Sequence, residues 1–235
     1  MKLEDRKNGT DTPRVAVAYF GDGAASEGDF HGALNLAATR DCPVIFICRN
    51  NGYAISTPTA EQYRGDGIAS RGIGYGIETI RVDGTDIFAV YEATREARRR
   101  ALEGGGRPIL LEFMSYRVSH HSTSDDSFAY RNRDEVSSWK TRDSPIFRLK
   151  KWLEKKALWD DKLDKETRSQ IRSDILRELA AAEKEKKPPL STIFDDVYAE
   201  LSEEQEAQKE DLRRLMLKYP EEYDLHEYEG GLASL

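Results

Sequence analysis

Two short apolar runs, residues 15–20 and 43–48, flank a segment whose apolar side chains recur at helical spacing, and this arrangement leaves the chain few folds to choose from. The first run stops at Gly21-Asp22-Gly23, which are turn residues. Over residues 26–39 the helical face is Phe30, Leu34, Ala37 and Ala38, with Glu27 and Asp29 in the first turn, where the helix dipole favours acids. A strand, turn, helix, strand unit of this kind crosses over right-handed and sets its two strands parallel and adjacent. The pattern returns as a strand at 77–82, a helix at 87–102 and a strand at 109–113. Two such units predict an α/β fold with a doubly wound parallel sheet. Ligands of open parallel sheets collect beyond the carboxyl ends of the strands. The loops 51–75 and 115–133, which leave those ends, are therefore the candidate site walls.

The 235 residues are 38% hydrophobic and 34% charged, enough for one buried core and a polar helical annex. The expected division is a polar leader at 1–13, an α/β domain at 14–144 and a helical C-terminal extension at 145–235. The extension carries Ile146, Leu149, Trp152 and Leu153 on one face, then a Lys/Glu-rich stretch. The leader contains Glu4, Asp5 and Asp11 and has neither the apolar core of a signal peptide nor the acid-poor character of a transit peptide. A net charge of −7 argues against nucleic acid and acidic membranes as partners, and Arg98, Arg99 and Arg100 read as a solvated helix face. No apolar stretch approaches the roughly 20 residues of a bilayer span. Cys42 and Cys48 bracket a strand, too far apart along it to bond, and are expected as free thiols.

The chemistry lies in the first unit. Asn51, in Asn50-Asn51-Gly52-Tyr53, follows Asp22 by 29 residues. A helix over 26–39 advances about 21 Å, and the return strand covers about 20 Å back. Asp22 and Asn51 should therefore stand side by side at the sheet edge. A carboxylate, an amide oxygen and a loop carbonyl suit Mg²⁺ that completes its shell with water and phosphate. The flanking glycines admit a ligand close to the backbone, and the helix N-terminus that follows favours a diphosphate. Each element alone is an ordinary turn; their spacing points to a metal–diphosphate site. A nicotinamide dinucleotide site is the rival, because Gly21-x-Gly23-x-x-Ser26 approaches the dinucleotide fingerprint, although Arg49-Asn50-Asn51 stands where an acid for the ribose is wanted. No Gly-Lys-Ser/Thr element of a P-loop occurs.

The segments Gly21-Asp22-Gly23-Ala24-Ala25-Ser26-Glu27-Gly28-Asp29 and Arg49-Asn50-Asn51-Gly52-Tyr53-Ala54-Ile55-Ser56-Thr57 resemble the thiamine diphosphate motif of 2-oxoacid dehydrogenase alpha subunits. The resemblance extends through Tyr63-Arg64-Gly65-Asp66-Gly67, Arg81-Val82-Asp83-Gly84 and His120-His121-Ser122-Thr123-Ser124-Asp125-Asp126, and is closer to the branched-chain type than to the pyruvate type. It implies that Asp22, Asn51 and the Tyr53 carbonyl hold Mg²⁺ and that Gly23, Ala24 and Arg49 contact thiamine diphosphate. By the same resemblance His121 also lies at the cofactor and assists acyl transfer, and Ser122 is phosphorylated by a dedicated kinase and restored by a phosphatase. A second phosphoserine of the family is replaced by Asn132.

The implied activity is decarboxylation of a branched-chain 2-oxoacid, with transfer of the acyl group to the lipoyl domain of an acyltransferase core, in branched-chain amino acid catabolism. The implied assembly is an alpha2-beta2 heterotetramer, in the mitochondrial matrix if the source is eukaryotic and in the cytoplasm otherwise. The family's N-terminal region, which supplies a Tyr-Arg pair and a monovalent-cation site, is expected to be missing, and the glutamate that activates the aminopyrimidine belongs to the beta subunit. The alternatives are a truncated, non-catalytic chain that binds partner subunits, and an alpha subunit of the pyruvate type.

Overall fold

The computed structural model describes residues 14–103, 106–195 and 197–235, so the expected leader at 1–13 lies outside the described residues. The chain divides into two compact units, Met1–Trp159 and Asp160–Leu235. In the first, the strands are β1 (Ala16–Gly21), β2 (Val44–Asn50), the two-residue β3 (Tyr53–Ala54) and β4 (Thr57–Pro58), β5 (Glu78–Asp83) and β6 (Ile109–Met114). Its helices are α1 (Gly28–Thr39), α2 (Thr59–Gln62), α3 (Ala69–Gly74), α4 (Ile87–Leu102), α5 (Arg133–Thr141) and α6 (Pro145–Lys155).

Four strands form a fully parallel sheet in the order β1-β2-β6-β5. Alternation along β2 and β6 explains how both faces are covered. Phe46, Cys48 and Leu110 point to one side and pack with Phe30, Leu34 and Ala37 of α1. Ile45, Ile47, Ile109, Leu111 and Phe113 point to the other and pack with Ala97 and Ala101 of α4. Burial on both sides is why these strands read as continuous apolar runs. Burial also pushes the Cys48 thiol up, and both cysteines are free.

The winding reverses in the middle of the sheet. β1 leads to its neighbour β2, but the chain then crosses to the far edge, β5, and returns to β6 beside β2. The loops after β2 and β6 thus leave a topological switch point, where open sheets take their ligands.

Two elements differ from expectation. Helix α1 begins at Gly28 rather than at residue 26, because Ala24–Ser26 is a 3-10 turn and Glu27 is extended at φ −81°, ψ 153°. The Arg71 guanidinium donates to the Ala25 carbonyl, removing an acceptor that a continuous helix would use. A short turn, not the helix itself, therefore follows Asp22-Gly23. Helix α6 stays with the first unit, which runs on past residue 144: Trp152 packs on Phe88 of α4 with ring centroids 4.8 Å apart, and Arg148 pairs with Asp83 at 2.8 Å. By contrast α4 starts where the pattern sets it, since the Asp86 carboxylate caps the N–H groups of Phe88 and Ala89.

The second unit holds α7 (Asp161–Ala182), capped by Asp160, and α8 (Glu203–Lys218), opened by a Ser202/Gln205 capping box. Its buried apolar side chains include Leu190, Phe194 and Met216.

One buried acid ties the first unit together. Glu112, on the central strand β6, is 0% exposed. Its Oε1 accepts from the Asn50 amide at 2.8 Å and the Ile68 N–H at 3.0 Å; its Oε2 accepts from the Ala69 N–H at 2.8 Å and Arg81 Nε at 2.9 Å. Burial alone would raise its pKa, but the Ala69 N–H, the Asn50 amide, the Ile68 N–H and Arg81 outweigh burial and hold the carboxyl below the usual glutamate range. A depressed folded pKa contributes stability that is present above the ordinary value near 4.5 and is lost as pH falls through the folded value. We expect Glu112→Gln to cost about 3–5 kcal/mol by urea denaturation, because an amide cannot accept from all four donors. The parent should also lose more stability than the variant as pH drops below that range; equal acid sensitivity would contradict this role.

Candidate active site

Parallel pairing of β1 with β2 sets Gly21 opposite Arg49, so the next residues on each strand emerge together at the carboxyl edge. Asp22 is 1% exposed. Its Oδ1 accepts from the backbone N–H of Asn51 at 3.2 Å, and its Oδ2 accepts from the Gln62 amide at 2.9 Å. The Asn51 side-chain oxygen accepts from the Tyr53 N–H at 3.1 Å, which folds the backbone so that Tyr53 follows within one tight turn. Gly52 adopts φ +85°, a conformation a side chain would strain, and its N–H goes to the Asn50 side chain at 3.0 Å. At Gly23 the requirement is closeness: a Cβ there would come within 2.8 Å of Ala54 Cβ. Asp22-Gly23 and the β3–β4 hairpin are thereby pressed together.

That hairpin turns through Ile55 at φ 55°, a left-handed conformation that a β-branched residue adopts only under constraint. The Ile55 carbonyl accepts from Arg117 at 2.7 Å, and the same nitrogen donates to the Tyr130 hydroxyl at 2.7 Å. Tyr130 in turn donates to Asp125 at 2.9 Å, and Asp125 takes the His121 backbone N–H at 2.8 Å. The His121 N–H first, and then Tyr130, hold the Asp125 carboxyl below its usual range. Arg131, only 4% exposed, lies over the rings of Tyr53, Tyr116 and Tyr130 at 5.3 to 5.9 Å and donates to the carbonyls of Arg117 and Ser119. The second loop is thus fastened to the first at the carboxyl edge.

A cavity of about 730 Å³ opens at the switch point between β2 and β6. Asn51, Gly52 and Tyr53 form one wall; Tyr63, Tyr116 and Trp139 lie among the others. Among the described residues no three His, Cys, Asp or Glu side chains gather as a metal cage.

Residues 6–191 match the dehydrogenase E1 component family. The chain belongs to that family. It is 56% identical over 216 residues to the mitochondrial 2-oxoisovalerate dehydrogenase subunit alpha of Bos taurus, which takes in 92% of this chain and 47% of that protein. Against the subunit of the same name from Caenorhabditis elegans the identity is 53%, over 94% of this chain and 51% of the relative, and against that from Dictyostelium discoideum it is 49%, over 97% and 50%. The chain spans about half the length of these curated relatives.

In this E1 family member the structure brings Asp22, Asn51 and Tyr53 into one hydrogen-bonded cluster, with Gly23 pressed against Ala54 beside it and Ala24 opening the adjoining 3-10 turn. Arg49, His121 and Ser122 are exposed, and no hydrogen bond or ion pair among the described residues joins their side chains to Asp22 or Asn51. For the dinucleotide alternative, no acid stands at the end of β2 to take a ribose, and the Asn50 amide there donates to Glu112. Sequence reading missed Gln62 and Arg131. Neither sits in a recognisable spacing; Gln62 matters through Asp22, 40 residues away, and Arg131 through the Ser119 carbonyl and the Tyr53 ring.

Proposed function

We propose that this chain is the cofactor-binding part of an alpha subunit of a branched-chain 2-oxoacid dehydrogenase. The E1 family is thiamine-diphosphate dependent, and the relatives named above are 2-oxoisovalerate dehydrogenase alpha subunits with mitochondrial names. The observation that carries the reading is Asp22, a sealed carboxylate with only neutral donors: no Lys or Arg pairs with it among the described residues. A buried carboxylate without a cation is an incomplete arrangement. Mg²⁺ would complete it, held by the Asp22 carboxylate, the Asn51 amide oxygen and the Tyr53 carbonyl, hard oxygen donors of the kind this ion prefers.

On this reading Gly23 and Ala24 offer close backbone to the diphosphate of thiamine diphosphate, and the exposed Arg49 supplies a fixed positive charge. When bound, the cofactor supplies the carbanion stabilisation that decarboxylation needs. The chain's own residues orient it and handle protons. His121, held through its backbone N–H by Asp125, would present an imidazole, which can accept and donate a proton, during transfer of the acyl group to a lipoyl arm. The partners are a beta subunit in an alpha2-beta2 assembly and a lipoyl-bearing acyltransferase core. The compartment is the mitochondrial matrix, and competence requires the family's remaining alpha-subunit region.

Ser122 is the proposed site of a regulatory kinase and phosphatase. It is exposed on the loop that the Arg117–Tyr130–Asp125 chain fastens, next to the N–H that Asp125 takes. A phosphate brings about −1.5 to −2 charges beside Asp125 and Asp126, competes for Arg117 and releases the loop. Asn132, in place of a second phosphoserine, instead caps α5 by accepting the Asp134 N–H at 2.8 Å.

Calorimetric titration of the assembled complex with thiamine diphosphate and Mg²⁺ tests the site. Asp22→Ala should abolish Mg²⁺-dependent binding, whereas His121→Ala should keep binding and lose acyl transfer. Parent-like cofactor affinity in Asp22→Ala removes the metal assignment, and unchanged turnover in His121→Ala removes that residue from the chemistry. For the switch, Ser122→Glu should lose lipoyl-dependent turnover and be cut faster by protease between residues 115 and 133, with Ser122→Ala staying protected. Normal turnover and equal protection in Ser122→Glu contradict it.

A further inference from the structure

Resting on the metal–diphosphate reading, we infer that Gln62 is a positioning residue that fixes the Asp22 carboxylate in its metal-binding orientation. The geometry is specific. Gln62 Nε2 donates to Asp22 Oδ2 at 2.9 Å and to the Thr57 carbonyl at 3.1 Å, while its Oε1 accepts from the Ser26 hydroxyl at 3.0 Å. All three contacts agree on one amide orientation. The reversed amide would set Oε1 against two acceptor oxygens, Asp22 Oδ2 and Thr57 O.

Each contact ties Gln62 to a different part of the site. Thr57 belongs to β4 of the hairpin that carries Tyr53, and Ser26 closes the 3-10 turn that follows Gly23. One side chain thus links the carboxylate, the hairpin and the turn. With Oδ1 held by the Asn51 N–H and Oδ2 by Gln62, the carboxylate plane is set from both ends. Each oxygen accepts one hydrogen bond and keeps a second lone pair for a cation. Both donors are neutral, so they orient the charge without neutralising it, which leaves it for the metal. A Lys or Arg at position 62 would satisfy the carboxylate and compete with the cation.

The test uses Gln62→Met, which keeps the length and removes both hydrogen-bonding atoms, in the full chain assembled with its beta subunit. Two quantities are measured apart from turnover: the concentration of Mn²⁺ that half-saturates the site at fixed thiamine diphosphate, followed through the EPR signal of the free ion, and the melting midpoint of the metal-free protein. A hydrogen bond to a charged group lost from a preorganised ligand should raise the metal half-saturation about tenfold, with the melting midpoint within a few degrees of the parent. Ser26→Ala, which frees only the far end of the amide, should move the metal value in the same direction by less. An unchanged metal half-saturation in Gln62→Met, with the parent still binding metal and cofactor, overturns the role of Gln62 alone. A large fall in the melting midpoint with the metal value unmoved in Ser26→Ala makes Gln62 merely structural and also overturns it. Absence of any metal-dependent cofactor binding in the parent overturns the underlying reading and this role together.

Discussion

Four donors from three places converge on the carboxylate of Glu112: the Asn50 amide at the end of β2, Arg81 on β5, and the two backbone N–H groups of Ile68 and Ala69 at the start of α3. The residue sits on β6, the strand that the reversal of winding places at the centre of the sheet. Hydrogen bonds of the ladder fix how strands lie beside one another; this side chain fixes what happens where they end. Through Asn50 it governs the direction in which the chain leaves β2, and the Asn50 oxygen then takes the Gly52 N–H in the turn that carries Asn51. Through Arg81, which also binds Asp66, it anchors the loop between α2 and α3. The loop that follows Gln62 and the loop that carries Asn51 therefore share one buried anchor.

The two buried acids among the described residues of the first unit, Glu112 and Asp22, have opposite electrostatic situations. Glu112 has a guanidinium and three further donors, and its charge is answered inside the chain. Asp22, equally sealed, has one backbone N–H and one amide. Glu112 is compensated as a structural acid is, whereas Asp22, the acid proposed to hold the metal, is oriented but unpaired. Burial alone does not separate the roles; the charge of the neighbours does.

Much of this was legible in the sequence because it depends on local periodicity. The strands, the full extent of α4 and the meeting of Asp22 with Asn51 follow from run lengths and the rise per residue of helix and strand, and the observed contact at 3.2 Å is what those lengths require. The start of α1 did not follow, because Arg71, 46 residues further on, takes the Ala25 carbonyl. The role of Glu112 was hidden for the same reason. In the run Ile-Leu-Leu-Glu-Phe it resembles an ordinary strand interruption, and its four partners are scattered from Asn50 to Arg81. Gln62 and Arg131 likewise acquire meaning from tertiary partners, the Asp22 carboxylate for one and the Tyr53 ring for the other. Spacing reveals which residues stand at a strand end, while the side chains that hold them there are chosen by tertiary contacts that leave no periodic trace.

The chain spans about half the length of each relative. The decisive measurement is a crystal structure of the chain assembled with its beta subunit and soaked with thiamine diphosphate and Mn²⁺, read by anomalous scattering. The account predicts one metal peak bonded at about 2.1–2.2 Å to the Asp22 carboxylate, the Asn51 amide oxygen and the Tyr53 carbonyl, with Gln62 still on the far carboxylate oxygen. A bound cofactor whose metal lies elsewhere, or an Asp22 carboxylate facing a protein cation instead, would contradict it.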